Sequence, residues 1–294
     1  MNNSVEENYK RQQNWLAYRF ISPSILHYAF FFITPLFILF LYSFYHHVPG
    51  GIVDTTMSFE NYKLFFGDPF YREILLRSFI LGLVVTVSTL LIGYPIAYFM
   101  SISSERTKSI CYVLVLAPLY TSVVVRTYGW MIILGRTGVL NKILMRLGLI
   151  DDPIQLMYTF NGVVITLVEV FLPFMILSIH SILENINKSL LFAAQNLGAS
   201  KSISFLLITL PLSIPGIASG CILVFVLSIA SFVSPVFIGG TGFRVIPTLI
   251  YEKAMASLNW PFGAAIAFSF LFIMVIIVHF YNRITSSERW STVK

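Results

Sequence analysis

Six stretches of this chain stay apolar for more than 20 residues, at positions 24–45, 78–101, 110–134, 159–182, 212–236 and 261–281. At about 1.5 Å per helical residue, each reaches about 30 Å or slightly more, the thickness of a bilayer's hydrocarbon core. Hydrocarbon offers no partner to a backbone N–H or C=O, so such runs cross only as helices. Composition agrees, with 57% hydrophobic and 11% charged residues and a mean hydropathy of +0.81. Soluble domains run at about 45–50% and 25%. A water-soluble globule built this way would expose large apolar patches and associate, and a disordered chain carries far less apolar content. The sequence therefore describes an all-α polytopic membrane protein and excludes a soluble enzyme.

The first apolar run follows 23 residues of mixed polarity. It is long for a signal-peptide core and no small-residue cleavage site follows Tyr45, so it reads as a retained span. The expected organisation is an N-terminal tail at 1–23, a six-helix membrane domain at 24–283 and a C-terminal tail at 284–294. Six spans put both tails on one side. Those tails and the loops on their side hold ten of the 19 basic residues in slightly less chain, a lean toward cytoplasmic termini. The net charge of +6 comes with no basic stripe, so nucleic acid is not an expected partner. Cys111 and Cys221 both fall in apolar runs, which suggests neither a disulfide framework nor a zinc site.

Three connecting segments read as short helices. Residues 137–148 place Val139, Leu140, Ile143, Leu144 and Leu147 at helical spacing before Gly148, and residues 58–67 end in glycine too. Both read as packing elements. The third, 187–200, lies between spans four and five. Asn187 or Ser189 can cap its start, Leu190, Ala194 and Leu197 share a face, and Gly198 suits its end. It is too short and too polar to span, and its two alanines leave the backbone approachable.

Ala193-Ala194-x-x-x-Gly198, followed after nine residues by Ile208-x-Leu210-Pro211, resembles the signature of ABC transporter permease subunits. That signature usually opens with Glu, where this chain has Phe192. Further stretches resemble the spermidine/putrescine branch of binding-protein-dependent importers: Glu60-Asn61-Tyr62, Gly93-Tyr94-Pro95, Arg126-Thr127-Tyr128-Gly129-Trp130, Leu172-Pro173-Phe174 and Trp260-Pro261-Phe262-Gly263. The resemblance implies that 187–200 is a cytoplasmic coupling helix seated in an ATPase subunit, with Phe192, Ala193, Ala194, Gly198, Ile208, Leu210 and Pro211 as coupling residues. It implies a bacterial inner-membrane importer of a small cationic solute such as spermidine or putrescine. Its partners would be a second permease chain, two ATP-binding subunits and a periplasmic or lipid-anchored solute-binding protein. Related permeases for opines, amino acid derivatives and phosphonates share these stretches. No Gly-Lys dipeptide occurs, hence no P-loop. The expectation is a transport subunit without an ATPase site, its ATP and magnesium bound by a partner.

Glu169 lies near the middle of span four, where an ionisable group requires a cavity or a partner. Arg126 in span three lies at similar depth, about 12 Å against about 15 Å from the same end at roughly 1.5 Å per residue. The two read either as a structural ion pair or as part of a solute path. A secondary transporter would carry such charges in several spans. His46 and His47 lack a nearby Cys or carboxylate cluster, so no metal site is expected. The Gly216-x-x-x-Gly220 pattern in span five permits close helix approach.

Overall fold

The computed structural model describes residues 15, 19, 21–48 and 52–285; the two expected tails lie mostly outside them. Five helices are straight enough to be single spans: α1 (Ile21–Tyr42), α3 (Pro69–Ile102), α7 (Phe160–Glu184), α9 (Lys201–Ile229) and α11 (Trp260–Thr285). A π-turn at Ala29–Ile33 interrupts α1 just before Pro35. A two-stranded antiparallel ribbon, β1 (His46–Val48) and β2 (Ile52–Asp54), follows α1. The short helix α2 (Glu60–Gly67) then leads into α3.

The third apolar run is not one straight helix. It divides into α4 (Glu105–Leu116), a 3₁₀ turn at Ala117–Tyr120, and α5 (Val123–Leu134), bent by 97° at the break. Pro118 sits in that turn; it lacks an N–H and its ring clashes with the preceding helical turn. The broken pair still crosses the molecule. At its start, Lys108 Nζ lies 2.8 Å from Glu184 at the end of α7. Past its far end, α6 (Val139–Arg146) carries Asn141, whose side chain both donates to and accepts from the backbone of Ile154, each at 2.9 Å, just before α7 begins. The architecture therefore holds six spans, one of them broken.

Span boundaries also shift. Span five starts at Lys201 and ends at Ile229, whereas hydropathy places it at 212–236. Polar Lys201, Ser202 and Ser204 hide its start, and a π-turn at Phe205–Thr209 leads into Pro211. Beyond Ile229 the chain forms a π-turn at Pro235–Gly239, the short helix α10 (Ile246–Tyr251) and another π-turn at Glu252–Ala256. The backbone N–H of Ile246 donates to Ser78 Oγ at 2.9 Å, which satisfies an amide at the start of α10. Helix α3 begins nine residues earlier than its apolar window, because Asp68 caps it by accepting from the Phe70 N–H at 2.8 Å and Pro69 suits the first helical position.

The core is the bundle of α3, α7 and α9, with Val85, Met100, Leu167, Met175, Ile179 and Val224 fully or almost fully buried. In lipid, packing rather than water exclusion holds helices together, so small residues set the contact. A Cβ at Gly216 would fall 3.0 Å from the Ser178 carbonyl oxygen, and one at Gly220 2.8 Å from Met175 Sδ. The glycine pair thus seats α9 directly on α7. Two tyrosines fasten the bundle further: Tyr94 Oη lies 3.0 Å from Ser213 Oγ, and Tyr281 donates to the Ala218 carbonyl at 2.8 Å.

Candidate functional site

Between α7 and α9 the chain forms α8 (Lys188–Asn196). The Asn187 side chain accepts from the Ser189 N–H at 2.9 Å, supplying the start signal. At the other end the N–H groups of Gly198 and Ala199 donate to the carbonyls of Gln195 and Ala194, at 2.9 and 3.0 Å. Gly198 adopts φ +87°, the left-handed conformation that closes a helix in this way. Two residues on, Ser200 Oγ accepts from the Ile203 N–H at 3.3 Å and starts α9. A helix of only nine residues is marginal alone; here caps fix both ends and aim α8 relative to α9.

No described side chain of α8 is buried. Leu190, Ala193 and Leu197 lie along one flank, and Leu197 is 88% exposed. Leu191, Phe192 and Gln195 lie on the other, where they line a cavity of about 570 Å³ together with Tyr98, Lys108, Glu184 and Lys201. Phe192 borders this cavity and is itself 62% exposed, so α8 shows apolar surface on both flanks, Leu190 and Leu197 on one and Phe192 on the other. Ile208, Leu210 and Pro211 do not join α8: they are half-buried in the second turn and beyond of α9, where they set the path of the span. Beside the cavity Lys108 Nζ bridges Glu184 at 2.8 Å and Glu105 at 3.0 Å, tying α4 to α7 where α8 leaves. The sequence gives no local sign of this bridge, since Lys108 and Glu184 are 76 residues apart.

Arg126 and Glu169 do meet. Arg126 Nη1 donates to Glu169 Oε1 at 2.9 Å, and Trp130 Nε1 donates to Glu169 Oε2 at 3.3 Å. Both donors come from α5, one helical turn apart. Arg126 is four residues beyond Ser122, at the break. Trp130 was not evident as a partner, although its i+4 spacing from Arg126 puts it on the same face. His46 Nδ1 lies 3.3 Å from Glu60, and among the described residues no three His, Cys, Asp or Glu side chains are grouped to hold a metal.

No protein-family model matches the chain. It is 36% identical over 241 residues to the spermidine/putrescine transport system permease protein PotB of Salmonella typhimurium (strain SL1344), covering 82% of this chain and 84% of that protein. This chain is a spermidine/putrescine-type permease. PotB of Escherichia coli (strain K12) is 35% identical over 241 residues, with 82% and 87% covered, and PotB of Haemophilus influenzae 33% identical over 254 residues, with 86% and 88% covered. The fold has solved counterparts. A permease chain of a bacterial ABC transporter that imports the acidic polysaccharide alginate superposes with a TM-score of 0.75 at 20% identity, covering 99% of this chain and 100% of that one. The alginate transporter in complex with its alginate-bound periplasmic protein gives 0.77 at 18% identity, covering 97% and 98%. The spermidine/putrescine-type permease is thus a multi-pass membrane subunit of an ABC importer. Because the same fold serves an acidic polysaccharide, it does not by itself set the solute.

Proposed function

We propose that this permease forms, with a second permease chain, the inner-membrane path of an importer for a small cationic solute of the polyamine class, such as spermidine or putrescine. Two ATPase subunits bind ATP and magnesium, a periplasmic or lipid-anchored binding protein delivers the solute, and both termini are cytoplasmic. The observation that carries this reading is α8, a doubly capped helix presenting Leu190, Ala193 and Leu197 outward, in a chain 36% identical to a PotB permease. The exposed flank seats in a cleft of the ATPase. ATP binding moves α8, and the movement passes through the Gly198 turn into α9 and through the Glu184–Lys108 bridge into α4. Access then alternates, because nucleotide biases one of two arrangements of the helices. The Arg126–Glu169 seam between α5 and α7 lies on the solute path. The test is uptake of labelled spermidine and putrescine by the complete importer in proteoliposomes, with ATP hydrolysis measured in parallel. Leu197→Asp should leave membrane insertion intact, release the ATPase and stop uptake. Uptake of a different solute class by the wild-type importer would replace polyamine as its cargo.

A further inference from the structure

We infer that Arg126 is a tethered cation occupying, in the resting permease, the site where the solute's ammonium group binds Glu169. This rests on Glu169 lying on the path of a cationic solute. A structural arginine–carboxylate pair uses the planar fork of the guanidinium, two parallel N–H···O bonds to one carboxylate. Here the fork is not used. Arg126 reaches only Oε1, at 2.9 Å, while Oε2 takes the Trp130 indole N–H at 3.3 Å. Arg126 Nε is buried with no hydrogen-bond partner. The site thus holds the arginine by one nitrogen and leaves another buried donor unsatisfied, at a cost. A compact ammonium presents three donors in no fixed plane and meets Glu169 without that cost.

The element carrying Arg126 is placed to yield. Helix α5 starts beyond the 97° break, and of its twelve residues only Thr127 and Leu134 are buried. Glu169 itself is 28% exposed at this chain's own surface, as a binding position on the path requires. Exchange of one cation for another never leaves the carboxylate alone in the membrane, the state that would cost most. The gain from binding is correspondingly small, which lets the solute leave again, as passage requires. Solute binding frees Arg126, and of its two bonds to Glu169 on α7, α5 keeps only that of the Trp130 indole. The tethered arginine therefore both selects for a competing cation and reports its arrival through the hinge at Thr121–Ser122.

The test uses the complete importer in proteoliposomes with its binding protein. Arg126→Gln removes the tethered cation, so ATP hydrolysis in the absence of solute should rise about 5-fold or more, the lower end of an ordinary coupling between sites. Glu169→Gln should lower polyamine uptake about 10-fold, the loss of one charge-assisted hydrogen bond, while ATP hydrolysis persists. An assembled Arg126→Gln importer whose hydrolysis depends on solute as in the wild type overturns the inference. So does failed assembly of Arg126→Gln that the Arg126→Gln/Glu169→Gln double variant restores, which makes the pair structural only. A second measurement keeps Arg126 in place: Gly129→Cys, where a side chain meets open space, in a background lacking Cys111 and Cys221. Spermidine-loaded binding protein should speed its thiol labelling about 5-fold, and an unchanged rate overturns the inference. The Arg126→Gln arm does not depend on which cation is carried, so failure of the polyamine assignment reads separately.

Discussion

At the scale of single residues, Gly198 is where chemistry and conformation separate most cleanly. Nothing lies within 4 Å of where its Cβ would be, yet its φ is +87°. Bulk alone is therefore tolerated and only the backbone is demanding. A β-branched side chain in the left-handed region costs about 1–2 kcal/mol, whereas Asn visits that region readily. Gly198→Asn should retain most solute uptake. Gly198→Val should unwind the turn joining α8 to α9 and uncouple ATP hydrolysis from uptake, read as a fall in solute molecules imported per ATP. Equal coupling in the two variants would show that the turn does not transmit. Position 192 shows the same separation of surface from backbone. Phe192 stands where the family's signature has Glu, and, 62% exposed at the cavity's edge, it adds apolar surface to α8 beside the flank of Leu190 and Leu197 without touching the backbone.

At the scale of elements, the α7–α9 contact depends on a backbone approach that no larger residue permits. An alanine at Gly216 would place its Cβ 3.0 Å from the Ser178 carbonyl oxygen, and a carbonyl in a buried helix cannot give way as a flexible side chain can. Gly216→Ala should cost about 1–3 kcal/mol, as overpacking does. Gly67→Ala, with nothing within 4 Å, should be neutral. Melting of the detergent-solubilised permease compares the two, and an equal Tm would remove the glycine pair as the seat of α9. This contact was legible in the sequence because small-xxx-small spacing has one meaning in lipid. So were five of the spans and the short helices α2, α6 and α8, since apolar length, capping residues and terminal glycines act locally; the fourth short helix, α10, was not. The break in span three was less legible: Pro118 announces a kink but not a bend of 97°, which tertiary contacts at both ends decide. The true start of α9 was hidden because polar Lys201, Ser202 and Ser204 lower its hydropathy while Ser200 caps it. The Lys108–Glu184 bridge and the indole bond to Glu169 join separate helices, and hydrophobic periodicity carries no information about such pairs.

For the molecule as a whole, the decisive quantity is the parity of crossings, and it turns on the broken pair α4–α5. Were that pair a re-entrant loop, the chain would cross five times and every segment after it would change sides. Its contacts argue for a crossing: Lys108 is bound to the end of α7, and Asn141, beyond α5, to the backbone that precedes the start of α7. The two ends of a helix of 25 residues are about 37 Å apart at 1.5 Å per residue, so the pair spans the bilayer despite its bend. Single cysteines test this in a background lacking Cys111 and Cys221. With a crossing, Lys63→Cys on α2, Lys142→Cys on α6 and Lys253→Cys after α10 share one side, and Lys201→Cys at the start of α9 lies on the other. With cytoplasmic termini, an impermeant thiol reagent added outside should label the first three and spare the fourth. A re-entrant loop gives a different pattern, in which Lys63→Cys and Lys201→Cys label together and Lys142→Cys is spared. That pattern would put α8 outside the cell, where no ATPase could meet it. Coupling and topology therefore stand or fall on the same four positions: Lys142, Lys201 and Lys253 each change sides between the two patterns, and Lys63 is the fixed reference.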